Sequence, residues 1–151
     1  MEVLKLTLVI TQNHNQSKII NLLAKIISEI LVANCFLKLR DDGILHAHII
    51  KKNTEEFKFK EIIEKSGEIL NYNPAPLLIT YDDNVFPSFK YGDSWAKKET
   101  SFQFSLADAF VTHSLSLKII GNMFLKYNKP LRPTKLFKNE TEAIEWLLTF
   151  I

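Results

Sequence analysis

His46 and His48 stand two residues apart in Ile44-Leu45-His46-Ala47-His48-Ile49-Ile50. Residues i and i+2 of a strand share a face, so two imidazoles at this spacing can share a metal ion. The sequence nominates no third ligand. Period-2 alternation, with Leu45, Ala47 and Ile49 turned inward, also explains the pair as the outer face of an edge hairpin. His14 and His113 are single histidines with no Ser or Cys partner in view. Asp82 and Asp83 follow the apolar run Leu77–Tyr81, at the end of a strand where open α/β sheets bind ligands. Two carboxylates there can hold Mg²⁺ through waters, or can simply turn the chain. Thr112, His113, Ser114 and Ser116 mark the next strand end and a helix start, where free N–H groups favour an anion or a Ser caps the helix. Ser88 is the hydroxyl nearest the first of these strand ends, and Asp93-Ser94 lies further on. No nucleophile–base pair, metal-ligand set or phosphate loop is visible, so no catalytic, metal-binding or cofactor-binding residue is assigned.

Charge gives a second candidate. From Ala109 to Asn139 there is no acidic residue, while Lys118, Lys126, Lys129, Arg132, Lys135 and Lys138 fall in the same span. Lys126, Lys129, Arg132, Lys135 and Lys138 flank the loop Asn128-Lys129-Pro130-Leu131-Arg132-Pro133-Thr134-Lys135 and are expected to form one basic surface for an anionic partner. Nucleic acid fits poorly, because aromatic residues are not interleaved with these lysines.

The elements that must position these groups read as follows. Residues 3–10 suggest a strand or extended arm. Residues 18–33 show helical periodicity through Ile19, Leu23, Ile26 and Ile30, with Ser17 as N-cap. Residues 36–50 predict a β-hairpin turning at Asp41-Asp42-Gly43. Residues 57–72 predict an amphipathic helix with Phe59, Ile62, Ile63, Ser66, Ile69 and Leu70 inward. Leu77–Tyr81 and Leu106–Thr112 read as strands buried on both faces. Helical pieces are expected around 88–97. A helix over 114–127 is expected to turn Leu117, Ile120, Phe124, Met123 and Tyr127 inward. Residues 132–137 read as an edge strand, because Pro133 cannot donate to a central ladder. A last helix begins at Asn139 or Thr141 and buries Ala143, Ile144, Leu147 and Leu148.

The 151 residues fit one domain with a sizeable core. A hydrophobic fraction of 46% excludes a disordered chain, and a single cysteine excludes a disulfide framework within the chain. Net charge is +2, too mild to announce a nucleic-acid binder. The apolar stretch 19–37 is broken by Lys25 and Glu29, which argues against a membrane span, and no signal-peptide core is seen. A cytoplasmic location follows as the expectation.

From residue 36 the expected order is β-β-α-β-α-β-α-β-α. That order resembles the STAS domain of sporulation-type anti-sigma-factor antagonists. The hairpin DDGILHAHI, the strand after Pro76, and the pieces IIGNMF, NKP, PTKLF and EAIEWL are similar to a bacterial STAS-like family typical of Bacteroidetes. The architecture is also similar to the lipid-binding CRAL-TRIO domain. The resemblance implies an α/β fold: a mixed four- or five-stranded sheet opened by a hairpin, with helices around it. It implies an N-terminal extension over 1–34 and a STAS-like domain over 35–151. It further implies a non-catalytic regulatory or protein-interaction module without a cofactor, or else a binder of a small hydrophobic ligand or lipid. A protein partner or a second copy is expected. The Asp-Ser-Ser-Gly segment of phosphorylated antagonists is absent, and Tyr81–Lys90 reads YDDNVFPSFK instead. Asp82, Asp83, Ser88 and Ser114 occupy the corresponding switch region.

Overall fold

The computed structural model describes residues 24–50, 59–82 and 103–151. They form a mixed α/β domain on one six-stranded sheet. Strands β1 (Ile26–Val32), β2 (Cys35–Arg40) and β3 (Leu45–Ile49) run as an antiparallel meander. Helix α1 (Phe59–Ile69) precedes β4 (Ala75–Tyr81). Strand β5 (Ser105–Val111), α2 (Leu115–Asn128), β6 (Thr134–Phe137) and α3 (Glu140–Leu147) follow, and a 3₁₀ turn over Leu148–Phe150 ends the described chain. Strands β3 to β6 are parallel, and the sheet order is β1-β2-β3-β4-β5-β6. The five expected strands are present, and β1 adds a sixth.

Strand β1 corrects the helix expected over 18–33, for its residues 26–32. Ile26, Ile27, Ile30 and Val32 are β-branched and lose less in a pleated strand than in a helix. Ile26 and Ile30 fit an even spacing as well as a helical one. The decision comes from a long-range partner, β2, reached through a tight turn with Ala33 at φ 53°. Residues 18–23, the arm 3–10 and the helical pieces around 88–97 lie outside the described residues.

The second hairpin follows its turn chemistry. Gly43 sits at φ 85°, and the Gly43 N–H donates to the Arg40 carbonyl at 3.1 Å. Arg40 folds back on Asp42 through three contacts of 2.5–3.1 Å. Helix α1 ends where Asn71 and Tyr72 turn left-handed, with the Tyr72 N–H donating to the Gly67 carbonyl at 2.8 Å. Pro76 falls at the register shift between Ala75 and Leu77, where β4 needs no N–H on that side.

Each face of the sheet carries its own core. On one, Leu37, Leu45, Ala47, Leu77 and Ile79 pack with Ile62 and Leu70, either side of the end of α1. On the other, Leu78, Ala107, Ala109, Val111 and Phe137 pack with Ala143, Ile144 and Leu147 of α3. Leu148, expected in this core, is only half-buried. Asn139 caps α3, its side-chain oxygen accepting from the Glu142 N–H at 2.9 Å.

Candidate functional site

Parity on the strands brings four polar side chains together on the α3 side of the sheet. Parallel pairing sets His48 beside Thr80. His46 and His48 share a face of β3, and Thr80 and Asp82 follow the same period along β4 and past its end. His46 Nε2 and His48 Nδ1 each lie 2.7 Å from Thr80 Oγ1, and His48 Nε2 lies 2.9 Å from Asp82 Oδ1.

The hydroxyl has one proton, so the chain has a direction. With His48 neutral and its Nε2–H donating to Asp82, Nδ1 is a lone pair and accepts from Thr80. Thr80 Oγ1 must then accept from His46 Nε2–H. Protonating His48 reverses the order: Nδ1–H donates to Thr80, and Thr80 donates to a neutral His46 with its proton on Nδ1. His46 is held neutral, its pKa pushed down to about 4 by burial, with His48, Lys38 and Arg40 adding repulsion. The arrangement therefore relays polarity between two imidazoles. Thr80 is buried, which shields its oxygen from any substrate. Both histidines are half-buried, and β4 pairs along β3, so the hairpin does not lie at the edge of the sheet.

A second polar cluster lies on the α1 side. Asp108 of β5 is fully buried and accepts a 2.6 Å bond from Ser105 Oγ, and Arg132 Nε closes on its other oxygen as an ion pair. Burial pushes the Asp108 carboxyl up to about 6, against the pull of Arg132 and Ser105.

The expected basic surface divides accordingly. Lys126 and Lys129 are exposed together at the C-terminal end of α2, where Lys129 takes a left-handed cap. Arg132 is turned inward to Asp108, its side chain only 10% exposed. Lys135 alternates with Leu136 on β6, so it projects on the face opposite α2, over the Phe137 ring. Lys138 is exposed beyond β6. Of the switch region, Ser114 caps α2, accepting from the Leu117 N–H at 3.3 Å, and Asp82 binds His48. Asp83, Ser88, Asp93 and Ser94 lie outside the described residues, as does His14. His113 is exposed. Among the described residues no group of three or more His, Cys, Asp or Glu is placed to hold a metal. A crevice lined by Leu45, Ser66, Leu70, Leu77 and Phe104 is too tight for a water molecule.

Helix α2 departs furthest from expectation. None of its residues is buried. Leu117 and Phe124 are half-buried as expected, but Ile120, Met123 and Tyr127 are exposed. The cause is Gly121: a Cβ there would stand 2.6 Å from Leu136 Cδ2, so the helix seats its glycine on β6. That rotation turns Leu117, Gly121, Phe124 and Leu125 inward and leaves a second apolar arc outside. The sequence left this rotation open, since apolar residues surround almost the whole helix. The Asp108–Arg132 pair had a signal, a lone acid inside the buried-type strand LADAFV.

Residues 37–151 match a family described as a domain of unknown function, DUF7793. The chain belongs to that family. No curated protein and no solved structure matches the chain. No helix among the described residues is long and apolar enough to cross a membrane.

Proposed function

We propose that the chain is a non-catalytic interaction module that docks the outer face of α2 on an anionic partner. One observation carries this reading: a 14-residue helix with no buried residue exposes Leu115, Ile119, Ile120, Met123 and Tyr127 inside a span without a carboxylate. Contiguous apolar surface of this kind marks an interaction site, and the flanking lysines select for negative charge. The STAS-like element order supports the same class of role, regulation by binding, and within it a sigma-regulatory or signalling partner cycle. That cycle does not run through an Asp-Ser-Ser-Gly switch.

The test is site-specific photo-crosslinking in cells, with a photoreactive residue at Ile119 and, as control, at the exposed Lys60 of α1. Adducts, protein or lipid, are expected from position 119 well above those from position 60. Equal or absent adducts at position 119 would remove the docking reading.

A further inference from the structure

Resting on that reading, we propose that the partner of α2 is an anionic lipid surface. The helix lies flat, with Leu115, Ile119, Met123 and Tyr127 at the boundary of headgroups and acyl chains and Lys126 and Lys129 at the phosphates.

The geometry comes first. Residues 115, 119, 123 and 127 follow the i, i+4 period and make one stripe. Their exposures are 71%, 55%, 53% and 76%. Ile120 widens the stripe, and Leu131 extends it past the helix end at 67% exposure. The helix is about 21 Å long, enough to lie along a surface and too short to cross one. Its inner side is fixed to β6 at Gly121, so the outer arc is presented ready-formed.

The charges decide between occupants. Lys118, Lys126 and Lys129 border the arc, and no acidic residue occurs between Asp108 and Glu140. Protein interfaces favour Arg and are depleted in Lys. The only arginine of this span is withdrawn into its pair with Asp108. Lysine around an exposed apolar arc is the pattern of a helix lying in a membrane interface. Lysine also suits a diffuse layer of phosphates, which asks for charge without a fixed fork. Tyr127 matches the same boundary, with an apolar ring and a polar tip. A second copy docked α2 on α2 is a poor occupant, because its lysines would meet lysines or the positive N-terminal end of α2, with no carboxylate on that face to receive them. Helix α1 shows the contrast. Its outer surface alternates Lys60, Glu61, Glu64, Lys65 and Glu68, with Lys65 on Glu68 at 2.6 Å, so α1 carries no excess of positive charge to attract anionic lipid.

The experiment is co-sedimentation of the full chain with vesicles of phosphatidylcholine alone and of phosphatidylcholine mixed with phosphatidylserine, at low and high salt. Binding is expected only with phosphatidylserine present, and it falls as salt rises. Lys126→Gln with Lys129→Gln should weaken it about 25-fold at low salt, about fivefold for each lysine near the surface. Ile119→Gln with Met123→Gln should weaken it with little change in its salt dependence. Both pairs are exposed, so circular dichroism should report an unchanged fold. No binding to phosphatidylserine vesicles, equal binding to neutral ones, or either double variant binding as wild type would overturn the proposal. Crosslinking of Ile119 to a protein, with vesicles unbound, overturns the lipid surface and leaves the docking reading standing. Silence in both experiments removes both.

Discussion

Replacing Arg132 by Met leaves Asp108 fully buried with Ser105 as its remaining polar contact. Removing one partner of a buried pair costs about 3–5 kcal/mol. A domain of this size has about 5–15 kcal/mol in all, so the loss is large. A carboxyl can relieve it by taking up a proton. Burial already pushes Asp108 from 3.8 up to about 6, and Arg132 is the largest influence opposing that rise. Without Arg132 the folded-state pKa climbs further. An acid whose folded pKa lies above its unfolded value stabilises the fold fully below the unfolded value, and that contribution is lost as pH rises through the folded one. The wild type has lost it by about pH 7. The variant goes on losing it above that, at about 1.4 kcal/mol per pH unit, until its own higher pKa is passed. The deficit of Arg132→Met should therefore be smallest near pH 5 and widen by about 1–2 kcal/mol toward pH 8. Urea unfolding across that range, with the m-value held constant, measures it. A deficit of the same size at both ends of the range would show that the ionisation of Asp108 does not control this pair.

Three further outcomes are expected. His46 is held neutral with its pKa near 4, below its ordinary 6.5, so its contribution is present above pH 6.5 and lost as pH falls toward 4. His46→Gln should flatten the acid limb of the stability profile by up to about 3 kcal/mol, read as urea midpoints, and an unchanged limb would contradict the assignment. Gly43→Ala forces an L side chain to φ 85° and should cost about 1–2 kcal/mol in thermal unfolding, and an unchanged melting temperature would show that the turn does not need a left-handed residue there. The Cys35 thiol is buried and pushed up to about 12, so a thiol reagent at neutral pH should label it only after denaturant is added. Rapid labelling of the native protein would mean that β2 opens locally.

Most of the sheet was legible because its signals are local. Asp-Gly fixed the second hairpin, Pro133 placed an edge strand, and the amphipathic period of α1 turned Ile62, Ser66 and Leu70 inward as expected. The errors fall where the deciding contact is distant in sequence. The segment Ile26–Val32 satisfies helix and strand periods alike, and only its ladder to β2 chooses between them. The rotation of α2 could not be read from a helix apolar on nearly every side, because Gly121 and Leu136 settle it across a helix–strand contact. The relay was half visible: the spacing of His46 and His48 showed that they share a face. Thr80 and Asp82 entered only once β3 and β4 were known to run parallel in that register.

The pairing of Asp108 with Arg132 bears on how the surface of α2 acquires its character. Asp108 is the last carboxylate before the span that ends at Glu140, and Arg132 is that span's only arginine. Their mutual neutralisation beneath the sheet removes the one side chain able to make a forked, geometrically exact contact with a carboxylate on a partner. What remains outside is lysine, a point charge on a flexible stem, at the end of a helix whose glycine fixes which arc faces out. The core and the outer face are thus coupled through one residue. If Arg132 pointed outward, β5 would hold an uncompensated acid and α2 would carry a donor suited to protein recognition. With Arg132 inward, the fold keeps its buried acid compensated, and the exposed arc carries apolar side chains and lysines, with Ser116 and Asn122 as its uncharged polar members, a combination that suits an anionic bilayer better than a polar protein rim.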